Sequence, residues 1–348
     1  MAVVRAPANP ILTPQDAAPS RDGFEVVGVF NPAVARYRDE VVLLVRVAER
    51  PIQTDPEVVQ TAFLDPIRGR IVTMAFARSD PANDFSDPRL IVRQGRTYLT
   101  SISHLRVARS RDGIHFTVDA RPALAAADTC ESFGVEDPRI TRIGETFYIS
   151  YVAVSPLGVT TALASTADFV TFERHGILFG PENKDVVLFP EAVGGRHYAL
   201  HRPHSPLCHT NDMWIAESPD LLCWGRHRHL MGLRDGFWDE TRIGAGAPPV
   251  RVDEGWLEVY HGADRHHRYC LGAVLLDARE PWKVRARSAR PIFEPQAEYE
   301  RAGFFGQVVF TCGLLLERRT LKVYYGAADT TVCYAEIPLD DVLASVRS

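Results

Sequence analysis

Ionisable and amide residues recur at matching places along an otherwise apolar chain. Asn31, Asp87, Asp137 and Glu191 stand near the start of repeated segments, with Glu136 beside Asp137. Arg46, His201, Arg202, His261 and Asp329 stand near the far ends of such segments, and Lys184 lies in the connector GPENKDVVLFPE. A buried charge without a partner is costly. Such a set therefore points either to ion pairs that pin neighbouring units or to one polar funnel that binds a ligand, and taken whole it favours the funnel. Its content reads as few acids with several cations. Inverting hydrolysis of a glycosidic bond needs two carboxylates, one as acid and one to activate water. Attack by phosphate needs only the acid, because phosphate is already a nucleophile. It also needs cations, since a phosphate group carries about −1.5 to −2 charge at neutral pH. Arginine supplies a planar fork and lysine or histidine a point donor, so Lys184, Arg202 and His261 fit the second design.

Residues this far apart can meet only if a repeat brings them together. Six segments share one plan of a small polar or proline-containing start, a short strand, a tight turn and a strongly apolar strand. They begin at Asn31, Asp87, Asp137, Pro190, Pro248 and Thr311, about fifty to sixty residues apart. Their turns, among them Gln94-Gly95, Ile143-Gly144 and Gly194-Gly195, are hairpin chemistry. Second strand pairs follow in VARSRDGIHF, TALASTADFVTF and MWIAESPDLLCW, each with a Ser/Thr-x-Asp turn. Four-stranded units repeated radially are the propeller solution to unpaired sheet edges, and a propeller gathers equivalent positions at one mouth. Helix is expected at Leu339 to Val346 after Pro338, with a weaker case in QAEYERA.

Bulk properties narrow the function classes. The 348 residues are 46% hydrophobic and 24% charged with a net charge of −5. This is ordinary for a globular protein and lacks the basic excess of a nucleic-acid binder. No run approaches the roughly 20 apolar residues that span a bilayer, and the first twenty residues are too polar for a secretory leader. A cytoplasmic location is expected. Cys130, Cys208, Cys223, Cys270, Cys312 and Cys333 form no CxxC pair, so reduced thiols are expected and no metal site.

The motifs GVFNPAV, GVEDPRIT, NKDVVLFPE, ALHRP, RIGAGAPPV, VYHGAD and YYGAADT, in this order from about Gly28 to Leu343, resemble those of glycoside hydrolase family 130. The resemblance implies an all-β, five-bladed β-propeller with a short C-terminal helix. It implies one catalytic domain over 1–348, with residues 1–27 as an N-terminal extension packing on it. It also implies an inverting β-mannoside phosphorylase that yields α-mannose 1-phosphate. By the same resemblance, Asp137 matches the catalytic acid, which acts through a hydroxyl of the bound mannose. Asn31, Arg46 and Asp329 match residues that hold the mannose, with Glu136 beside them, and Lys184, Arg202 and His261 match the phosphate cluster. Inorganic phosphate is then a co-substrate, and neither a metal nor an organic cofactor is implied. The partners are an oligosaccharide and phosphate, with no nucleic acid or membrane, and self-association into a homo-oligomer is left open. The opening region, through GVFNPAV to LLVRVAERP, looks more like β-1,2-mannobiose and oligomannan phosphorylases than β-1,4 enzymes. A β-mannosidase of the same fold and a non-catalytic sugar-binding propeller are the rivals.

Other clusters read as follows. Six hairpins stand where the family has five blades, so one is expected to serve elsewhere, as closure between the chain ends. Trp238 in GFWDETRIG is a candidate for stacking on a sugar at the rim. Arg265-His266-His267-Arg268 reads as a loop at the funnel mouth, and Arg226-His227-Arg228-His229 as solvated surface without acidic partners.

Overall fold

The computed structural model describes residues 2–205, 207 and 210–347; Cys208 lies outside the described residues. The chain is all-β, and among the described residues α-helix is confined to Glu298–Arg301 and Leu339–Arg347. Five larger antiparallel sheets follow one another. The first is Phe24–Tyr37, Glu40–Pro51, Ile102–Ser110 and Thr117–Val118, and the second is Val135–Ile143, Thr146–Ser155, Gly158–Thr166 and Glu173–Phe179. The third is Asn183–Leu188, His197–Pro203, Met213–Ser218 and Gly225–Met231. The fourth is Arg242–Ala245, Gly255–Ala263, Tyr269–Leu276 and Val284–Arg287, with Val250–Val252 also paired to Gly255–Ala263. The fifth is Val309–Glu317, Thr320–Ala327 and Thr331–Pro338, completed by Val4–Arg5 from the other end of the chain.

Five of the six expected hairpins contribute to these sheets. The sixth, from Asp87, forms Leu90–Arg93 and Arg96–Leu99, which join Asn83–Asp84 in a small separate sheet. That sheet and the hairpin of Val58–Asp65 with Arg70–Ala77 form an insertion between the second and third strands of the first sheet. Closure of the chain ends is therefore not made by a hairpin. Val4 pairs with Glu336 and Arg5 with Ala335, and Leu12 bridges Val332. The stretch expected as an extension thus supplies the last strand of the fifth sheet. Arg5 is anchored by buried Glu300 at 2.7 Å, which also accepts from Tyr325 at 2.8 Å.

The packing follows from strands buried on both faces. Glu40–Pro51 reads EVVLLVRVAERP, a nearly continuous apolar run rather than a simple alternation. Val42 and Leu44 face the core shared with the second sheet, while Val41, Leu43, Val45 and Val47 face the core shared with the fifth. Period-2 geometry makes this division automatic. Further apolar cores lie between second and third, third and fourth, and fourth and fifth sheets, so each of the five sheets is packed against two others. The C-terminal helix buries Leu339, Val342, Leu343 and Val346 on that last core, the spacing of one helical face. The Ser/Thr-x-Asp turns also form as expected. Asp112, Asp168 and Asp220 each accept from two backbone amides further along the turn, which stabilises the turn locally.

Candidate active site

Strand pairing explains why asparagine and aspartate recur at the segment starts. The register of the first strands breaks between Phe30 and Ala33, Glu136 and Arg139, and Lys184 and Val187. Within these breaks sit Asn31, Asp137 and Asp185, at φ of 48°, 46° and 56°. A bulge leaves its extra residue unpaired and re-aims a side chain. Asn and Asp are among the non-glycine residues enriched at positive φ, and proline is admitted at bulges, as Pro32 and Pro138 are. Asp329, also left-handed at φ 50°, occupies the turn between Thr320–Ala327 and Thr331–Pro338. Gly326 makes room for Asn31, because a Cβ there would lie 2.0 Å from Asn31 Oδ1.

These bulges open on a cavity of about 340 Å³, lined by Asn31, Arg46, Glu136, Asp137, Lys184, Arg202, His261 and Asp329. The eight residues that the family resemblance places at the site thus meet in one place. Arg46 organises one side. Its Nη1 donates to Asp137 Oδ1 at 3.1 Å, its Nη2 to Glu136 Oε1 at 2.7 Å and its Nε to Ser103 Oγ at 3.0 Å. Asn31 Nδ2 donates to the same Asp137 oxygen at 2.9 Å. Burial alone would raise Asp137, but Arg46, Arg139, Asn31 and Lys184 outweigh it and hold the carboxyl below its ordinary value. Burial, reinforced by Asp137 and opposed by Arg46, raises Glu136. Burial likewise pushes Asp329 up to about 6, with Asp137 and Glu136 adding to it against Arg46 and Arg89. The group thus combines an ionised acid with neighbours that hold protons more tightly than free carboxyls do.

The other side gathers the cations around an acid missed from the sequence. Asp185 Oδ1 accepts from Arg139 Nη2 at 3.0 Å, while Oδ2 lies 2.8 Å from Arg202 Nη2 and 3.4 Å from His261 Nε2. Burial would raise Asp185, but Arg202, His261 and Arg139 keep it well below the carboxylate range. His261 is 1% exposed, and burial, only partly offset by Asp185, lowers it to about 4. It is therefore neutral at pH 7, with Nε2 the ring nitrogen nearer Asp185. This corrects the expectation of three positive groups. One is uncharged, and Arg202 is already paired. Lys184 makes no ion pair with a described residue; burial, then Arg202, lower its affinity for a proton. Arg202 Nε and Arg242 Nε are buried and unpartnered among the described residues, and both residues line the cavity. Arg139, 1% exposed, ties the halves together by donating to the Asp137 carbonyl at 3.0 Å as well as to Asp185.

Trp238 is not at the rim. It is 7% exposed, stacked on Tyr260 at 5.5 Å, and fitted against Gly262 and Gly272. The cavity's aromatic walls are instead Phe30, Tyr269, Phe304, Phe305 and Phe310, and Arg46 lies 4.6 Å over Phe30. His201 is outside the cavity lining. It bonds Asn183 and His227 and stacks on Phe179. The Arg226–His229 run does have acidic partners, from Arg226 to Glu217 at 3.0 Å and from His229 to Asp212 at 2.9 Å, both on the third sheet's Met213 side. Cross-strand register supplied them where chain proximity did not. Arg265 pairs with Glu240, and His267 packs on Phe305 at the cavity wall. Asp87 pairs with Arg89, which lines the cavity. The signals for the missed residues were within the quoted motifs: Asp185 beside Lys184 in NKD, Arg139 in EDPR, Phe30 in FNP and Arg242 in RIG.

Comparison with known proteins gives an independent line. A family model described as beta-1,4-mannooligosaccharide phosphorylase, of glycoside hydrolase family 130, matches residues 81–348. A beta-1,2-mannobiose phosphorylase of Listeria innocua is 46% identical over 347 residues, covering 99% of this chain and 98% of that protein. A 1,2-beta-oligomannan phosphorylase of a Thermoanaerobacter species is 37% identical over 244 residues, covering 69% and 80%. The solved structure of the Listeria innocua enzyme in complex with beta-1,2-mannobiose matches with a TM-score of 0.97, covering 100% of this chain and 99% of that one.

Proposed function

This chain belongs to glycoside hydrolase family 130, and from that premise we propose that it is a five-bladed β-propeller that phosphorolyses β-1,2-mannobiose with inversion. The fold is supported by five consecutive sheets with an apolar core in each of five interfaces. The linkage is supported by full-length similarity to a beta-1,2-mannobiose phosphorylase. The observation that carries the reaction is the juxtaposition of Asp137 with Lys184 and the unpartnered Nε of Arg202 in one cavity.

In the proposed reaction, Asn31, Arg46 and Asp329 hold the mannose at the cleaved bond, and phosphate binds to Lys184 and Arg202 with His261 beside them. Hydrogen phosphate attacks the anomeric carbon from the face opposite the leaving sugar. The C1–O bond to that sugar breaks, a C1–O–P bond forms, and the phosphate's proton is balanced by the one the departing oxygen gains through Asp137 and a mannose hydroxyl. The Asp137 carboxyl is held below its ordinary value, so it must first take up a proton. Glu136, whose carboxyl burial raises, stands beside it in the same cavity.

Counting acids does not exclude a hydrolase, because Glu136 and Asp329 also border the cavity. The anion-ready donors and the relatives favour the phosphorylase. Incubation with β-1,2- and β-1,4-mannobiose, with and without phosphate, tests this. Mannose 1-phosphate formed only with phosphate is expected. Free mannose released at the same rate in its absence would make the protein a mannosidase, and binding without turnover would make it a lectin.

A further inference from the structure

We propose that Asp185 is a resident counter-anion of the phosphate site, holding Arg202, Arg139 and His261 in place before phosphate arrives and then competing with it for Arg202 and His261, the two that line the cavity. The inference deepens the phosphorylase reading and rests on it.

The ion-pair cluster is assembled by the chain itself. Asp185 Oδ1 accepts a hydrogen bond from Arg139, and Oδ2 lies within ion-pair distance of Arg202 and His261 as given above. Asp185, Arg202, Arg139 and His261 are 2%, 4%, 1% and 1% exposed, so water screens the group little. The backbone is shaped around it as well. A Cβ on Gly244 would lie 2.4 Å from Asp185 Oδ2 and 2.6 Å from His261 Cε1, so glycine is what allows the carboxylate and imidazole to meet. The left-handed bulge at Asp185 aims the side chain there. Yet Asp185 lines the same cavity as Lys184, and Arg202 keeps a buried Nε without a partner among the described residues. The donors are thus only partly spent.

A phosphate entering this cavity meets Lys184 and the Nε atoms of Arg202 and Arg242, with the Asp185 carboxylate beside them. The repulsion acts equally on phosphate and on a sugar phosphate product, because both carry nearly two charges. It therefore limits how tightly either is held, and lets the product leave. Without the carboxylate, Arg202 and Arg139 would be buried cations lacking their counter-charge, a state that is strongly destabilising and that an incoming anion would relieve.

The test is Asp185→Asn, with phosphate KM, product inhibition by mannose 1-phosphate, kcat, and thermal midpoint against phosphate concentration. The expected result is a fall of at least about tenfold in both phosphate KM and the product inhibition constant, equivalent to about 1.4 kcal/mol, with a lower kcat. The variant's midpoint should drop without phosphate and rise with added phosphate more steeply than the wild type's. A folded variant with unchanged or raised phosphate KM overturns the proposal. If the variant is not recovered folded, refolding is repeated in phosphate. Recovery supports the proposal, and failure at every phosphate concentration overturns it. A wild-type protein that forms no mannose 1-phosphate would instead remove the phosphorylase reading itself.

Discussion

Asp329→Asn should stabilise the protein at neutral and alkaline pH, although it alters the sugar pocket. Asp329 borders the cavity with Arg46, Glu136 and Asp137, and burial with the two neighbouring acids pushes its carboxyl up to about 6 from an ordinary 3.8. The native state thus binds this proton more tightly than the unfolded chain. The wild type is relieved of the penalty below about pH 4, acquires it between about 4 and 6, and carries it in full above. A shift of about two units corresponds to about 3 kcal/mol, an upper limit because the cavity admits water that screens the charge. At about 2.1 cal/mol/K per residue, 348 residues give an unfolding entropy of about 0.7 kcal/mol/K, so the gain is up to about 4 °C. Asparagine has nearly the same shape and no charge. Calorimetric melting of both proteins from about pH 4 to pH 8 should show an offset that is absent in acid and grows through the window of the shift. A variant no more stable than wild type at the alkaline end, or an offset persisting undiminished in acid, would refute the electrostatic argument.

Three further outcomes follow from the site. Asp137→Asn should lower kcat by on the order of 10²–10⁴ while the protein still folds; retained turnover would assign proton delivery elsewhere. Lys184→Met should raise phosphate KM by roughly 10- to 100-fold, the worth of a charged hydrogen bond, with a smaller effect on mannobiose KM; unchanged phosphate kinetics would make Lys184 structural. Trp238→Ala should cost about 3–5 kcal/mol of stability in denaturant melts, as expected for a ring packed on Tyr260. Weakened sugar binding without that loss would return Trp238 to the rim.

The repeat, the all-β class, the C-terminal helix and most of the pocket were legible in the sequence because they rest on local rules. Hairpin turns, Ser/Thr-x-Asp turns and apolar runs act over a few residues, and a bulge leaves an Asn-Pro or Asp-Pro mark where a side chain is re-aimed. Asn31 and Asp137 could therefore be found without coordinates. What needed the tertiary structure was every property that depends on which strands become neighbours. The hairpin from Asp87 looks like its counterparts but lies within an insertion, and only the pairing of Val4–Arg5 with Thr331–Pro338 shows how the chain ends meet. Trp238 has the composition of a sugar platform, and the room made by Gly262 and Gly272 buries it. His261 reads as a cation until burial makes it neutral, and Asp185 reads as a residue beside a lysine until three other strands bring Arg139, Arg202 and His261 to it. Charge state is set by desolvation and by groups distant along the chain, and neither is a property of a residue and its near neighbours.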